Sequence, residues 1–499
     1  MAASTGGARY DVVVCGGGLA GLTLARQLKR EVDGVSVAVI EPHAGPLPRG
    51  TWKVGESITE MGTHYLEKVV GLGEHLTGRH LVKCGLRFFY NTGADAFADR
   101  PEVGLSRLPV FTTYQLDRGL LETDLRELAA ASGVDLLPGW RASRVDLGRG
   151  ESGDADRAHA VTVAGNGGAE RVLTARWVVD ATGRRRLLQK QLGLAKSAEP
   201  HCSSAWFRVP GIVNVAELVP ADAKSWHERV PGDIRWRSTN HLMGDGYWVW
   251  VIPLPCDMTS IGVVVSERHH DFRTIHTFAA ASRWLEHHEP ELARRLEGIE
   301  PLDFLVMRKY SYASTRVVSA ERWACVGESG QFPDPFYAPG TDIIGFGNMA
   351  VVDLVTRDRK GELDAKRVDR HDQFLRSINY FLMRNTQRGY PFHGHAVVAA
   401  AKFLWDVAVT WGYFAPQMFN RTFLDDARRG AVRRRVSGFI FLQSRMQKLF
   451  EDWHALGAGA LRFTFLDYLR PTLLRELRDR NLVAGKTTAE IGQIGRAHV

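Results

Sequence analysis

The chain has 499 residues, 44% hydrophobic and 24% charged, with a formal net charge of +8. This suits a globular protein of two or three domains; the positive charge is too diffuse to argue for nucleic acid, and no nucleic-acid motif is present. No run of eighteen apolar residues and no apolar segment in the first ten residues is seen, so neither a spanning helix nor a secretory signal is expected, and a cytoplasmic location is. The five cysteines (Cys15, Cys84, Cys202, Cys256 and Cys325) are widely spaced and read as reduced core residues, with no metal site.

The chain opens on a short β-branched run, Val12, Val13 and Val14, which predicts a buried strand. Gly16, Gly18 and Gly21 follow in the spacing G-x-G-x-x-G, and an amphipathic helix carries Leu22, Leu24, Ala25 and Leu28 on one side. The first glycine makes a tight turn, the second lets backbone approach a pyrophosphate, and the third lets the helix pack on the strand. The helix N-terminus offers free N–H groups to phosphate. A second apolar run, 35–40, ends at Glu41, about twenty residues on, where a carboxylate holds an unphosphorylated ribose. FAD or NAD is therefore expected rather than NADP.

A Pro/Gly-rich loop, 42–50, leads to Lys53-Val54-Gly55-Glu56-Ser57. Residues 59–76 read as helix, 81–90 as strand apart from Gly85, and 118–131 as helix. A charged, Gly-rich stretch at 148–156 fits an exposed hairpin tip. Residues 177–183 close a buried strand on a second glycine turn, at Gly183. From 201 to about 307 the pattern alternates, which predicts an antiparallel sheet. Residues 323–327 form another short buried strand ending at Gly327, a proline-rich loop follows at 332–340, and 341–356 reads as helix. From 367 to 480 the sequence is mostly helical and aromatic. The pairs His287-His288 and His393-Gly-His395 lack a zinc spacing. Residues 494–499 read as the translation of a common sequencing adapter and are excluded from the fold.

A glycine-rich turn at the start, an Ala-Thr-Gly turn in the middle and a Val-Gly-acidic turn late in the chain together resemble the FAD-dependent monooxygenase fold typified by para-hydroxybenzoate hydroxylase. The resemblance implies that Glu328 contacts the ribityl chain, where an aspartate is usual, and that Arg118 reaches the FAD. Three further motifs resemble the flavin-dependent, tryptophan-halogenase-like halogenases: Trp248, Trp250, Ile252 and Pro253 as W-x-W-x-I-P; the Val54–Ser57 loop as V-G-E-[AS]; and Lys83 opening K-x-x-[IL]-[KR]-F. The likeness runs to about residue 360.

What it implies is an α/β protein. A Rossmann-like FAD-binding domain (1–200, with a return segment 311–365) joins an antiparallel β-sheet substrate domain (201–310) and a helical C-terminal region (366–493). Gly55, Glu56, Ser57, Gly183, Gly327 and Pro335 join the first three glycines and Glu41 at the cofactor. The reaction implied is FADH2- and O2-dependent halogenation of an electron-rich aromatic, through a flavin C4a-hydroperoxide and hypohalous acid passed to a lysine. Lys83 is the candidate, because an amine in an apolar run is desolvated and partly neutral. Lys53, beside the flavin loop, competes as a group that fixes charge at the cofactor. Trp248 and Trp250 share one strand face and are expected to wall the flavin off from substrate.

Aligned on the family's loop, Tyr337 takes the place of a glutamate that steadies the cationic ring. A phenolic or pyrrolic substrate, which needs less such help, is favoured over tryptophan. Ala338-Pro339 replaces small hydroxyl residues, so halide, the co-substrate, depends on the amides of Gly340 and Thr341. No second dinucleotide turn is visible, so a separate flavin reductase is expected to supply reduced FAD. Arg428, Arg429, Arg433, Arg434 and Arg435 could dock an acidic carrier protein bearing the substrate, though a solvated helix face is the plainer reading. A flavin hydroxylase or dehydrogenase, a geranylgeranyl-reductase-like lipid reductase, and a flavin-binding protein without turnover stay open as alternatives.

Overall fold

The computed structural model describes residues 8–50, 53–93, 96–148, 158–165, 167–199, 201–457 and 461–481, without the side chains of 427–437. The adapter-like tail, the five arginine side chains between 428 and 435, and most of the expected hairpin tip lie outside the described residues. The strands flanking that tip, Trp140–Asp146 and His159–Gly165, do pair antiparallel.

The valines at 12–14 are fully buried at the centre of a mostly parallel sheet, in strand Arg9–Cys15. Glu170–Asp180 and Val37–Glu41 flank it, with Trp323–Cys325 and Asp135–Pro138 beyond, all parallel. Both faces are covered, and continuous apolar runs rather than alternation follow from that. In register, Cys15 lies opposite both Asp180 and Ile40, and Asp180 opposite Cys325. Those four strands therefore end level, and the turns at Gly16, Gly183 and Gly327 open along one edge. In open α/β sheets that carboxyl edge is where ligands bind. Helices Leu19–Glu31 and Gly340–Arg359 pack together, with the Asn348 side-chain amide donating to the Ala20 carbonyl (3.1 Å) and the Thr23 hydroxyl (3.0 Å).

The second sheet is wider than expected and is not antiparallel throughout. Its eight strands run Asp303–Met307, Cys202–Pro210, Met258–Ser266, Tyr247–Leu254, Thr239–Gly244, Leu86–Tyr90, Glu102–Gly104 and Phe465–Asp467. Leu86–Tyr90 joins parallel to Thr239–Gly244, and Phe465–Asp467 parallel to Glu102–Gly104. Long-range parallel additions leave no local hairpin signal, which is why alternation within 201–310 misses them.

The strand expected over 81–90 is two strands. Gly85 (φ +63°) turns the chain, and a Cβ there would sit 2.3 Å from the Tyr468 hydroxyl. Leu81–Lys83 pairs instead with Thr113–Gln115 as a separate ribbon. The C-terminal part is helical, as Ala365–Gln387, Ala396–Val409, Asp426–Leu456 and Thr472–Asn481. Ala396–Phe419 is one continuous helical stretch of 24 residues, long and apolar enough to cross a membrane, half of its most apolar window being buried inside the protein.

Candidate active site

Gly16 turns at φ +120°, and a Cβ there would lie 2.3 Å from the Ala181 carbonyl oxygen. Gly21 packs the helix so closely that a Cβ would be 2.0 Å from the Gly16 carbonyl. At Gly18 the nearest protein atom to a Cβ is 3.9 Å away, so only glycine leaves this part of the cradle open. Glu41 accepts from the Gly17 amide (2.9 Å) and the His43 amide (2.8 Å), which fixes its carboxylate at the end of the second strand. The middle turn is tied by buried Asp180, which accepts from the Thr182 amide (2.9 Å) and hydroxyl (2.7 Å) and the Leu188 amide (2.7 Å).

These turns open into a cavity of about 720 Å³, within the range of cofactor sites. Every residue expected at the nucleotide and flavin positions except Gly21 lines it, as do Trp248, Trp250, Gly340 and Thr341. Lys83 and Tyr337 do not line it.

On the cavity wall, Arg118 donates to the Val54 carbonyl (2.7 Å) and pairs with Glu122 (2.5 Å), one helical turn on. Lys53 pairs with the same buried carboxylate. Gly55 sits at φ +90°, where a Cβ would meet the Arg118 guanidinium at 2.8 Å. Glu56 pairs with buried Arg208 (2.7 Å), which also holds Asp303 (2.8 Å) and the Lys53 carbonyl (2.7 Å). The loop is thus clamped from the second sheet.

Lys83 is only 2% exposed. Its amine donates to the Ser57 hydroxyl (2.7 Å) and the Ile58 carbonyl (3.0 Å), and Ser57 in turn lies 2.7 Å from the Thr239 hydroxyl. Ser57 and Thr239 both line the cavity, so Lys83 stands one hydroxyl behind its wall. Burial lowers its pKa to about 8, against the pull of Glu60 and Asp342. Burial also pushes Asp342 up to about 7, opposed by the Thr59 hydroxyl at 2.5 Å.

The sheet face towards the cavity is set by register. Phe88, His241, Trp250 and Gly262 form one cross-strand row; Tyr90, Met243, Trp248 and Val264 form the next. The two indoles lie 5.8 Å apart, and the Trp250 ring covers Gly262, where a Cβ would be 2.1 Å from it. Trp248 donates to the Tyr390 hydroxyl (3.0 Å). Tyr390 and Tyr310 both donate to Asp334 (3.1 and 2.8 Å), a cavity-wall carboxylate raised to about 6 by burial.

Tyr337, read from the aligned loop, stands off the cofactor cavity. It adopts φ +68°, followed by Ala338 at φ +58°, and packs with Phe336, Phe403 and Phe88 rather than on the cavity. The tight turn Pro335–Ala338 is closed by an Ala338 N–H bond to the Pro335 carbonyl (2.9 Å). Beyond it, the first bond of the next helix runs from the Ile343 amide to the Pro339 carbonyl, which leaves the Gly340 and Thr341 amides ahead of it at the wall.

Glu122, Arg208, Thr239, His241 and Asp334 belong to the site and were not read from the sequence. Only Glu122 had a local signal, its i,i+4 spacing from Arg118.

Residues 9–253 match the family described as FAD binding domain. The chain binds FAD and has the fold of the flavin-dependent halogenases. The solved halogenase PltM in complex with phloroglucinol and FAD superposes with a TM-score of 0.65 at 16% identity, over 98% of this chain and 95% of that one. The flavin-dependent halogenase chlA of Dictyostelium discoideum is 26% identical over 399 residues, 74% of this chain and 64% of its own length. A 1H-pyrrole-2-carbonyl peptidyl-carrier-protein chlorinase of Pseudomonas fluorescens is 24% identical over 395 residues, 74% of this chain and 80% of that one. The match thus spans less than two thirds of the Dictyostelium protein. The FAD-binding match ends at Pro253, inside the tryptophan strand, so the turns at Gly16 and Gly183 and both indoles fall within it, while the turn at Gly327 lies beyond it.

Proposed function

We propose that this FAD-binding protein halogenates an electron-rich aromatic ring, phenolic or pyrrolic, with Lys83 as the amine that presents the halogen. The observation that carries the reading is the buried Lys83 amine, 2.7 Å from a hydroxyl that itself lines the cofactor cavity. Bound reduced FAD, with oxygen and halide, would supply hypohalous acid.

The chain's own residues divide the work. The Gly16–Gly18 turn and the N-terminus of Leu19–Glu31 hold the pyrophosphate, and Glu41 the adenosine ribose. Arg118 and Glu328 would hold the rest of the dinucleotide, and the Val54–Ser57 loop and Pro335 would stand beside the ring. The Gly340 and Thr341 amides offer the halide a helix N-terminus. Trp248 and Trp250, on the cavity wall, would screen bound flavin from the substrate. A free hypohalous acid is unselective; an amine that hydrogen-bonds it, or forms a haloamine, fixes where the halogen is delivered. A partly neutral lysine retains the lone pair this requires.

The peptidyl-carrier-protein chlorinase supports a carrier-tethered ring as one form of substrate, and the absence of a second dinucleotide turn in the sequence supports delivery of reduced FAD by a separate reductase. The test supplies a reductase, oxygen, and chloride or bromide, and screens free and carrier-tethered phenols and pyrroles by mass spectrometry. Halogenated product that disappears in Lys83→Ala, with peroxide still released, is the expected result. Hydroxylated product without halogen overturns the proposal.

A further inference from the structure

We propose that His241 is the base that takes the proton from the ring carbon as the halogen is installed, with the substrate ring lying along the Phe88–His241–Trp250 row; this rests on the halogenation reading above. His241 is 2% exposed yet lines the cavity. Its Nδ1 lies 3.0 Å from the Arg87 carbonyl oxygen. A carbonyl only accepts, so Nδ1 carries the hydrogen, and the neutral ring keeps its lone pair on Nε2, the opposite edge. The imidazole is held flat by Phe88, stacked at 4.7 Å and 18°, with Phe336 edge-on at 5.7 Å and Trp248 at 5.5 Å. A flat aromatic substrate belongs among such faces.

The carboxylates that line the cavity each have partners. Asp334 takes two phenol hydroxyls and the Phe336 amide, Glu56 takes Arg208, Glu122 takes Arg118 and Lys53, Glu41 takes the Gly17 and His43 amides, and Glu328 lies 3.7 Å from Arg184. His241 lies beside Trp250 in one cross-strand row on the cavity wall.

In the step, a π pair of the ring forms the carbon–halogen bond while the halogen's bond to its oxygen or nitrogen carrier breaks, that pair leaving with the carrier. The carbon–hydrogen bond then breaks, its pair restores aromaticity, and the proton goes to Nε2. Burial lowers the imidazole pKa to about 3. That still suffices, because a protonated, halogenated ring is a far stronger acid than imidazolium.

The test is His241→Asn, whose side-chain amide can keep the donor to the Arg87 carbonyl while removing the base. The substrate is a ring-deuterated phenol that the wild type halogenates. Wild type is expected to show no primary isotope effect. In the variant kcat is expected to fall about 10²–10³-fold, with kH/kD rising above about 2 as proton loss becomes limiting. FAD titration checks the fold, and His241→Gln serves if Asn does not bind FAD. Histidine ¹⁵N NMR of the wild type is expected to show the Nδ1–H tautomer; finding the Nε2–H tautomer overturns the assignment. Halogenation by the variant within about threefold of wild type, without an isotope effect, overturns it alone. A wild type that halogenates nothing in the panel overturns the halogenation reading and this assignment with it.

Discussion

Lys83 holds its ammonium where water does not reach, and that has a thermodynamic signature as well as a chemical one. Its folded pKa is about 8 against an ordinary 10.5, so between those values the unfolded chain binds more protons than the folded one. The penalty of burying the charge is full below pH 8 and is relieved as pH rises towards 10.5. Relative to Lys83→Met, the wild type is therefore expected to gain stability across that window, which denaturant unfolding at stepped pH measures. The same substitution is expected to leave FAD affinity within about twofold, since the amine lies behind the cavity wall and not on it. Lys83 was legible because a motif marked it. The relay in front of it was not: Ser57 was read only as part of the flavin loop, and its partner Thr239 lies over 150 residues from Lys83. For Tyr337 the alignment gave only a place in the loop; its neighbours Phe336, Phe403 and Phe88 follow from a turn with two consecutive positive-φ residues.

Turns and strands carry their own expectations. Gly16→Ala brings a Cβ within 2.3 Å of backbone and keeps a positive φ, so it is expected to cost more than about 2 kcal/mol and to abolish FAD binding, read by FAD fluorescence titration. In the second sheet, buried Glu102 ties Arg87, Arg229 (3.1 Å) and Arg235 (2.9 Å) across the strands that join from outside 201–310. Against the cost of burial, Arg87 and Arg235 hold its pKa below the ordinary 4.5. Its contribution is therefore present above that value and lost as pH falls through the folded one. Glu102→Gln is expected to cost about 3–5 kcal/mol near neutral pH, by denaturant unfolding, and less in acid. The glycine spacing announced the first element before any coordinates. The ionic knot had no local pattern, since its members come from three separate stretches of chain.

For the whole molecule, elements from the first fifty residues, the middle turn and the late helix line one cavity, so FAD binding there is expected to raise the melting temperature of the entire chain. At free FAD a hundred times Kd the gain is about 2.7 kcal/mol, and Gly16→Ala is expected to show none of it in a thermal-shift titration. NADPH at the same concentration is expected to shift nothing and to leave the bound flavin oxidised until a reductase is added. The amino-acid sequence by itself determined the parallel nucleotide sheet and the three turns at its edge, because each rests on contiguous residues whose spacing follows from backbone geometry; that spacing left FAD or NAD open, and flavin followed from the family resemblance. Only the tertiary structure decided how far the second sheet extends, which side Tyr337 faces, and that His241 stands beside Trp250 rather than behind it. Those depend on register between strands far apart in the chain, and register is fixed by packing across the sheets rather than by any local run of residues.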